Sequence, residues 1–456
     1  MTNVVTEIVN KDLCSSCGVC VGLCPPGALS IEFQKNGNLV PRVDAVRCLE
    51  KCHLCIDVCP FSRGFHNPRE INDVLFRGFS DTRFHDNIGW YLNCIVGYRR
   101  NAELRNLSSS GGLATWCLES LLKKGMITRA AVVRFAKDRN NGFFEFYAAS
   151  SVEELRASSG SAYHPVEISG IIKKIQSSKQ ECWAIVGVPC LCAAIRNSPR
   201  LGGKVPFVFG LACGMYQNIF YTEMLLAESG VDRENIENIE YRRKSDSGPP
   251  SDYRFRGTDN RGPGRQIAYH GLPSYLGMHA FFRLNACNFC MDVFAETADA
   301  CFMDAWLPAY RKEPRGTSLV VVRNRELSEL LFQGHSKGEL QFDGIGCEEV
   351  CLSQKGHIRR KRELTYMRQG LQESEGSSSA KPTTEERTHW WLERWAQRRS
   401  KSAWSRYGRK YGRFAFWFAL SDVLIIQNIV KYVTKMISLP KRLVGKFRRI
   451  LSHNSA

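Results

Sequence analysis

Near the start of the chain, Cys14-Ser-Ser-Cys17-Gly-Val-Cys20-Val-Gly-Leu-Cys24-Pro25 is followed by Cys48-Leu-Glu-Lys-Cys52-His-Leu-Cys55-Ile-Asp-Val-Cys59-Pro60. A cubane [4Fe–4S] cluster needs four thiolates converging on one small volume. Closely spaced CxxC steps curl a loop around three corners, and the cysteine before proline reaches across to the other cluster. The spacing therefore predicts one cluster on Cys14, Cys17, Cys20 and Cys59, and a second on Cys48, Cys52, Cys55 and Cys24. Gly18 and Pro25 suit the tight turns of such loops. The extra residue between Cys48 and Cys52 is a departure from the regular spacing. Zinc sites pair two CxxC knuckles across a longer gap, a pattern that does not generate CxxCxxCxxxCP twice.

Composition agrees with metal ligation. The chain has 456 residues, 43% of them hydrophobic, enough for two to four domains with sizeable cores. Its 19 cysteines would suit a secreted disulfide framework or metal sites in a reducing compartment. The opening MTNVVTEIVNKDLC carries acidic residues and no apolar h-region, and the cysteines are grouped in short runs. Metal ligation in the cytoplasm is the expectation. The net charge of +18 invites a nucleic-acid reading. However, the stretch from His389 to Ala456 holds fifteen Lys/Arg against two Asp/Glu, so +13 of the excess sits in one tail. Nucleic acid is accordingly not expected as a partner.

Outward from the head, the pattern predicts five parts. Residues 1–65 form a two-cluster, α+β ferredoxin-like head and 66–90 a connector. Residues 91–368 form an α/β body, 369–388 a polar Ser-rich linker, and 389–456 a basic amphipathic helical tail. Strand-like runs at Tyr91–Gly97, Ala130–Phe135, Cys182–Val188 and Val205–Leu211 are followed by helix-like segments. Cys190 and Cys213 each follow such a run, which puts them at strand C-terminal ends, the rim where α/β sheets bind ligands. With Cys287 and Cys290 they form the donor set of a third cluster, or they are buried small hydrophobes. Cys94, Cys117, Cys182, Cys192, Cys301, Cys347 and Cys351 are read as structural.

An ordered series of short motifs carries a resemblance over residues 1 to roughly 330. They are SSSGGLAT (Ser108–Thr115), GSAY (Gly160–Tyr163), VGVPC (Val186–Cys190) and GLACG (Gly210–Gly214). YRRK (Tyr241–Lys244), CNFCMD (Cys287–Asp292), ADACFMDAW (Ala298–Trp306) and GTSLVVV (Gly316–Val322) complete it. The chain resembles the family of coenzyme F420 hydrogenase and dehydrogenase beta subunits, flavoproteins with a ferredoxin-like head. The resemblance implies that Cys190, Cys213, Cys287 and Cys290 hold a cluster and that FAD lies beside it.

Ser109-Ser110-Gly111-Gly112, at a predicted helix start, is the best anion cradle in the sequence, with exposed amides and hydroxyls suited to a pyrophosphate. Taken alone it is an ordinary serine cap; the resemblance assigns it to FAD. Thr115, one turn on, is expected to face the same ligand, and Tyr163 to line the flavin or substrate site. Ser159-Gly160-Ser161-Ala162-Tyr163 lacks the lysines that related chains tend to show there, and Met303 stands where glycine is common. The reading thus predicts a flavin and does not extend to a deazaflavin coenzyme. Single-electron clusters beside a flavin imply an oxidoreductase exchanging electrons with a donor or acceptor protein or a small redox substrate. The alternative is a non-catalytic electron-transfer component of a larger complex. In the tail, Asp422, Gln427, Asn428, Lys431 and Lys435 interrupt the apolar run from Phe414 to Ile437. That predicts a helix lying on an anionic membrane surface, peripheral at its inner face, or docked on the body or a partner.

Overall fold

The computed structural model describes residues 2–63, 67–138, 142–244, 252–268, 271, 274, 276, 279–365 and 383–430. The head begins with a π-helical turn at Val5–Val9, then α1 (Val19–Leu23), an antiparallel hairpin of β1 (Leu29–Phe33) and β2 (Leu39–Val43), and the short α2 (Leu54–Asp57). In the connector, Asn67 and Glu70 form a capping box at the start of α3 (Pro68–Phe76). A hairpin of β3 (Arg83–His85) and β4 (Gly89–Tyr91) leads into the body.

The body is built on β5 (Asn93–Arg99), β6 (Arg129–Phe135), β7 (Phe144–Ala149), β8 (Trp183–Gly187) and β9 (Phe207–Leu211). Helices α4 (Ala102–Leu107), α5 (Leu113–Lys123), α6 (Val152–Ala157), α7 (Ser169–Ser177), α8 (Pro189–Arg196) and α9 (Ile219–Ser229) connect or follow them. After α9, β10 (Ile236–Arg243), β11 (Arg254–Asp259), β12 (Gly262–Pro263) and β13 (Ile267–Ala268) form a separate four-stranded sheet. β14 (Ala300–Asp304), β15 (Ser318–Val322) and β16 (Leu340–Gly344) return to the first. The result is one eight-stranded mixed sheet of order β16–β5–β15–β14–β9–β8–β6–β7. Its middle four strands, β14, β9, β8 and β6, are mutually parallel. Their near-continuous apolar sequences reflect burial on both faces.

One face packs Phe209, Phe302 and Val320 against Leu113, Cys117 and Leu121 of α5 and against Leu327, Leu330 and Leu331 of the helix Arg325–Ser336. The opposite face packs Ile185, Val208 and Val321 against Ile171, Ile172 and Ile175 of α7, and the head seals that layer with Val19, Val21 and Leu23. The head–body joint is close. A Cβ on Gly22 would stand 2.5 Å from the Ile172 Cβ and 2.9 Å from the Ser169 carbonyl oxygen. The amide of Ile168 donates to the Cys17 carbonyl at 2.9 Å, and Asn218 Nδ2 donates to the Asn36 carbonyl at 2.7 Å.

The tail helix starts at Thr384, inside the expected linker, because Thr383 and Glu386 make a capping box there. It runs through a π-helical turn at Trp404–Gly408 and onward to residue 430. One side docks on the body: Leu392, Ala396, Trp404, Phe416, Leu420 and Val423 are buried, several of them against Phe220 and Phe282. Ser405 reaches the head, donating to the Lys35 carbonyl at 2.8 Å. The other side exposes Tyr407, Tyr411, Phe414, Phe418, Ile425 and Ile429. By length and composition, Thr384–Val430 contains a window apolar enough to cross a membrane, of which 17% is buried. The rest of the expected linker and tail, 369–382 and 431–456, lies outside the described residues.

Replacing Gly22 by Val forces a branched side chain into the α1–α7 contact. We expect a loss of roughly 1–3 kcal/mol in chemical denaturation, as for overpacked cores, together with release of residues 1–65 under limited proteolysis that leaves the wild-type joint intact.

Candidate metal and cofactor site

The eight head thiols gather in one region, with Cys55 also near Cys20 and Cys59. Cys59 lies among Cys14, Cys17 and Cys20, while Cys24 neighbours Cys48 and Cys55. The loop before α1 reaches this shape through left-handed backbone at Ser16 (φ 64°) and Gly18 (φ 76°). The Ser16 amide donates to Cys14 Sγ at 3.3 Å. Burial pushes the Cys14 thiol up to about 12 and raises Cys17, Cys20 and Cys59 as well. Desolvated thiols of this kind ionise at neutral pH only if a cation replaces their protons, so the donor set fits a metal cluster.

At the sheet rim the structure brings together Cys190, in the first turn of α8, Cys213, just past β9, and the Cys287–Cys290 pair. Burial is again the main cause of the raised thiols, with Cys213 reaching about 12. Tyr216 donates its amide to Cys287 Sγ at 3.2 Å, and Cys213 donates its amide to the Val293 carbonyl at 3.1 Å. The loop carrying the CxxC pair is pinned by Arg323, whose buried guanidinium donates to the carbonyls of Ile88, Phe294, Ala295 and Ala298. Gly210 permits that approach, since a Cβ there would stand 2.3 Å from the Ala295 Cβ. Val19, Val21 and Leu23 of α1 share one apolar cluster with Leu191, Ala194 and Ile195 of α8, so the loop that carries Cys17 comes to the helix that carries Cys190.

The SSGG segment does enter α5, but its parts are used differently from one another. Gly112 (φ 84°) is the N-cap and no side chain caps the helix, so the first-turn amides are free of any side-chain acceptor. Ser109 Oγ lies 2.8 Å from Ser161 Oγ, which joins the loop to the SGSAY segment. Ser110 Oγ donates to the Thr317 carbonyl, and a Cβ on Gly111 would stand 2.6 Å from both the Gly97 oxygen and the Ser318 nitrogen. Gly111 is therefore explained by strand packing. Thr115 is half-buried one turn on, and Tyr163 stacks on Tyr241 with centroids 4.8 Å apart. An uncapped helix start with a left-handed glycine and a hydroxyl pair fits a phosphate-bearing cofactor.

Two cations reach this corner from YRRK. Arg242 pairs with Asp304 at 2.8 Å, and Lys244 Nζ donates to the carbonyls of Arg105 (2.7 Å), Ser110 (3.0 Å) and Arg315 (2.7 Å). Burial first, and then the adjacent Arg242 and Arg105, lower Lys244 to about 7. The acids near the rim serve the fold: Asp299 accepts from Val208 N and Arg196, and Asp292 accepts from Glu296 N. His164 is a core histidine, bonded through Nδ1 to Thr222 and lowered by burial to about 3. Sequence reasoning missed Lys361, whose Nζ lies 3.1 Å from Cys290 Sγ. It also missed the group of His85, Cys347 and Glu348. Neither has a local motif. In that group the Asn87 amide donates to His85 Nδ1 and Nε2 faces Glu348.

Convergent cysteine sets in the head and at the rim of a mixed α/β sheet define an iron–sulfur electron-transfer protein, and residues 13–62 match the family model of the 4Fe-4S dicluster domain. Residues 94–173 and 181–346 match the two models of the coenzyme F420 hydrogenase/dehydrogenase beta subunit, N-terminal and C-terminal respectively. The chain belongs to that family. It is 25% identical to one of the subunits of the F420H2 dehydrogenase of Methanosarcina mazei, over 46% of this chain and 55% of that protein. It is 21% identical to the coenzyme F420-dependent sulfite reductase of Methanocaldococcus jannaschii over 80% of this chain and 52% of that one. The chain thus spans about half the length of these curated relatives. A chain of the F420-reducing [NiFe] hydrogenase complex from Methanosarcina barkeri aligns at a TM-score of 0.49 and 18% identity, over 66% of this chain and 99% of that one.

Lys244→Met leaves three carbonyls of the 105–110 and 315 loops without their donor. The expected cost is about 2–4 kcal/mol in urea unfolding, with faster amide exchange confined to residues 105–112.

Proposed function

We propose that this chain is an iron–sulfur flavoprotein oxidoreductase that passes electrons between [4Fe–4S] clusters and FAD. The observation that carries the reading is the packing of the head's α1 in one apolar cluster with α8, the helix whose first turn carries Cys190. Cys14, Cys17, Cys20 and Cys59 would hold one head cluster, and Cys24, Cys48, Cys52 and Cys55 the other. Cys190, Cys213, Cys287 and Cys290 would hold the third. Ser109, Ser161 and the amides that follow Gly112 would hold the FAD phosphates, with Thr115 and Tyr163 lining the site. Clusters supply one-electron transfer, and a flavin supplies the junction between one- and two-electron chemistry. The chain's own contribution is positional. Arg323 fixes the CxxC loop, Lys244 fixes the SSGG loop, and the buried α1–α7 joint keeps water and slack out of the junction between head and body.

The parts fall as a ferredoxin-like head at 1–65, a connector at 66–90, a flavin-binding body at 91–368, a linker that ends before the Thr383 cap, and the tail helix from Thr384. The donor or acceptor is a redox protein partner or a small redox substrate. A purely electron-transferring role within a larger assembly is supported by one relative being a component of a multi-subunit dehydrogenase. A turnover assay with flavin-accepting dyes separates the two roles.

The tail supplies a second surface. Its exposed stripe of Tyr411, Phe414, Phe418, Ile425 and Ile429 sits beside Lys410 and Arg413, which suits an anionic bilayer at the cytoplasmic face.

Oxygen-protected protein is expected to carry about twelve iron, about twelve sulfide and about one FAD, as three cubane clusters require. The Cys190→Ala variant should retain about eight iron with the head clusters' spectra unchanged. Zinc, or no metal, in the wild type overturns the reading. Replacing Phe414 and Phe418 by Ser should reduce sedimentation with phosphatidylserine vesicles about tenfold or more while leaving iron content unchanged.

A further inference from the structure

Lys361 is 2% exposed, yet among the described residues no ion pair with a carboxylate accounts for it. Its Nζ lies 3.1 Å from Cys290 Sγ and 2.6 Å from the Asp292 carbonyl oxygen. The Asp292 carboxylate is turned elsewhere, accepting from the Glu296 amide at 3.1 Å and 3.3 Å. An ammonium so completely removed from water requires a compensating negative charge. The negative groups nearest it are the sulfurs of Cys290, Cys213 and Cys287 and, with no hydrogen bond to it, the Asp292 carboxylate; among them only Cys290 Sγ lies within hydrogen-bond reach of Nζ. Lys361 belongs to the π-helical turn Arg359–Glu363, which lies beyond residue 346, where the family match ends. The neighbouring Arg362 ties the same turn to the body by pairing with Glu296, a residue that Arg69 also holds at 2.7 Å. The turn is therefore held in place at the rim by partners other than the cysteines.

We infer that Lys361 is the counter-charge of the rim cluster and raises its reduction potential above that of the same cluster without it. The inference rests on the cofactor assignment made above. Reduction adds one electron, delivered by the redox partner, to a cluster whose four thiolates already carry negative charge. A fixed ammonium against one of those sulfurs stabilises the reduced state more than the oxidised one, and its hydrogen bond to sulfur acts in the same direction. Lys361 touches the ligand set and no reacting substrate, so it is a positioning residue for charge.

The test is a redox titration of the full-length, anaerobically purified protein followed by electron paramagnetic resonance. The rim signal is identified as the one absent from Cys190→Ala. In Lys361→Met, the rim cluster's equilibrium constant for one-electron reduction is expected to fall at least about tenfold, equivalent to about 59 mV. The head signals should not move, and Lys361→Arg should recover most of the difference. If Lys361→Met fails to retain the rim cluster, Lys361→Gln, which keeps a donor for Cys290 and removes the charge, should show the same fall. A charge-free variant with full iron content and an unmoved rim potential overturns the inference. Wild-type protein with iron for the head clusters alone overturns the cofactor assignment instead, and that outcome is read from iron content before any variant is compared.

Discussion

Everything electronic in this molecule depends on how closely the head can lie against the sheet. Gly22 allows α1 to settle on α7 at a separation that no larger residue tolerates, and the backbone bond from Ile168 to Cys17 fixes the register of that contact. The consequence is that a loop belonging to the head and the first turn of α8 present cysteines to a shared interior. Apolar side chains from α1, α7, α8 and the sheet close that interior on all sides. Each cysteine set could form separately; only the joint makes them neighbours.

A second theme is the use of buried cations to organise irregular backbone. Loops around the rim have no strand partners for their carbonyls, and buried carbonyls require donors. Arg323 serves four of them, Lys244 three, and Arg105 the Gly316 carbonyl. Lys204 does the same for the end of α7, donating to the carbonyls of Ile175, Gln176 and Ser178. One long side chain with several donors thus replaces a stretch of hydrogen-bond ladder and leaves the loop free to follow the shape its cysteines need.

Much of this was legible in the residues because the relevant physics is local. The spacing of Cys14, Cys17 and Cys20 encodes a loop radius, and alternating apolar runs encode strands. What could not be read depends on contacts between distant segments. The glycines of SSGG look alike in sequence, but Gly111 answers to the Gly97 and Ser318 backbone whereas Gly112 answers to the turn into α5. Arg242 and Lys244 of YRRK look like solvated charge in sequence, but one pairs with Asp304 and the other serves three loop carbonyls. Lys361 stands in RRKRE, a run that reads as solvated charge until its third residue is found in the interior. The tail was open between two surfaces because an amphipathic helix shows its apolar side equally to a protein and to a lipid. The structure gives one side to the body, through Trp404 and Phe416, and leaves aromatics on the other.

The walls around the Cys287–Cys290 loop are supplied late in the chain. Gln397 donates to the Arg283 carbonyl, Ser400 accepts from the Phe282 amide, and Lys361 lies on Cys290, from positions 71 to 118 residues downstream. At about 5–20 residues per second of synthesis, several seconds separate emergence of the thiols from emergence of the segments that cover them. During that interval the thiols of the loop lack the side chains that cover them in the folded chain.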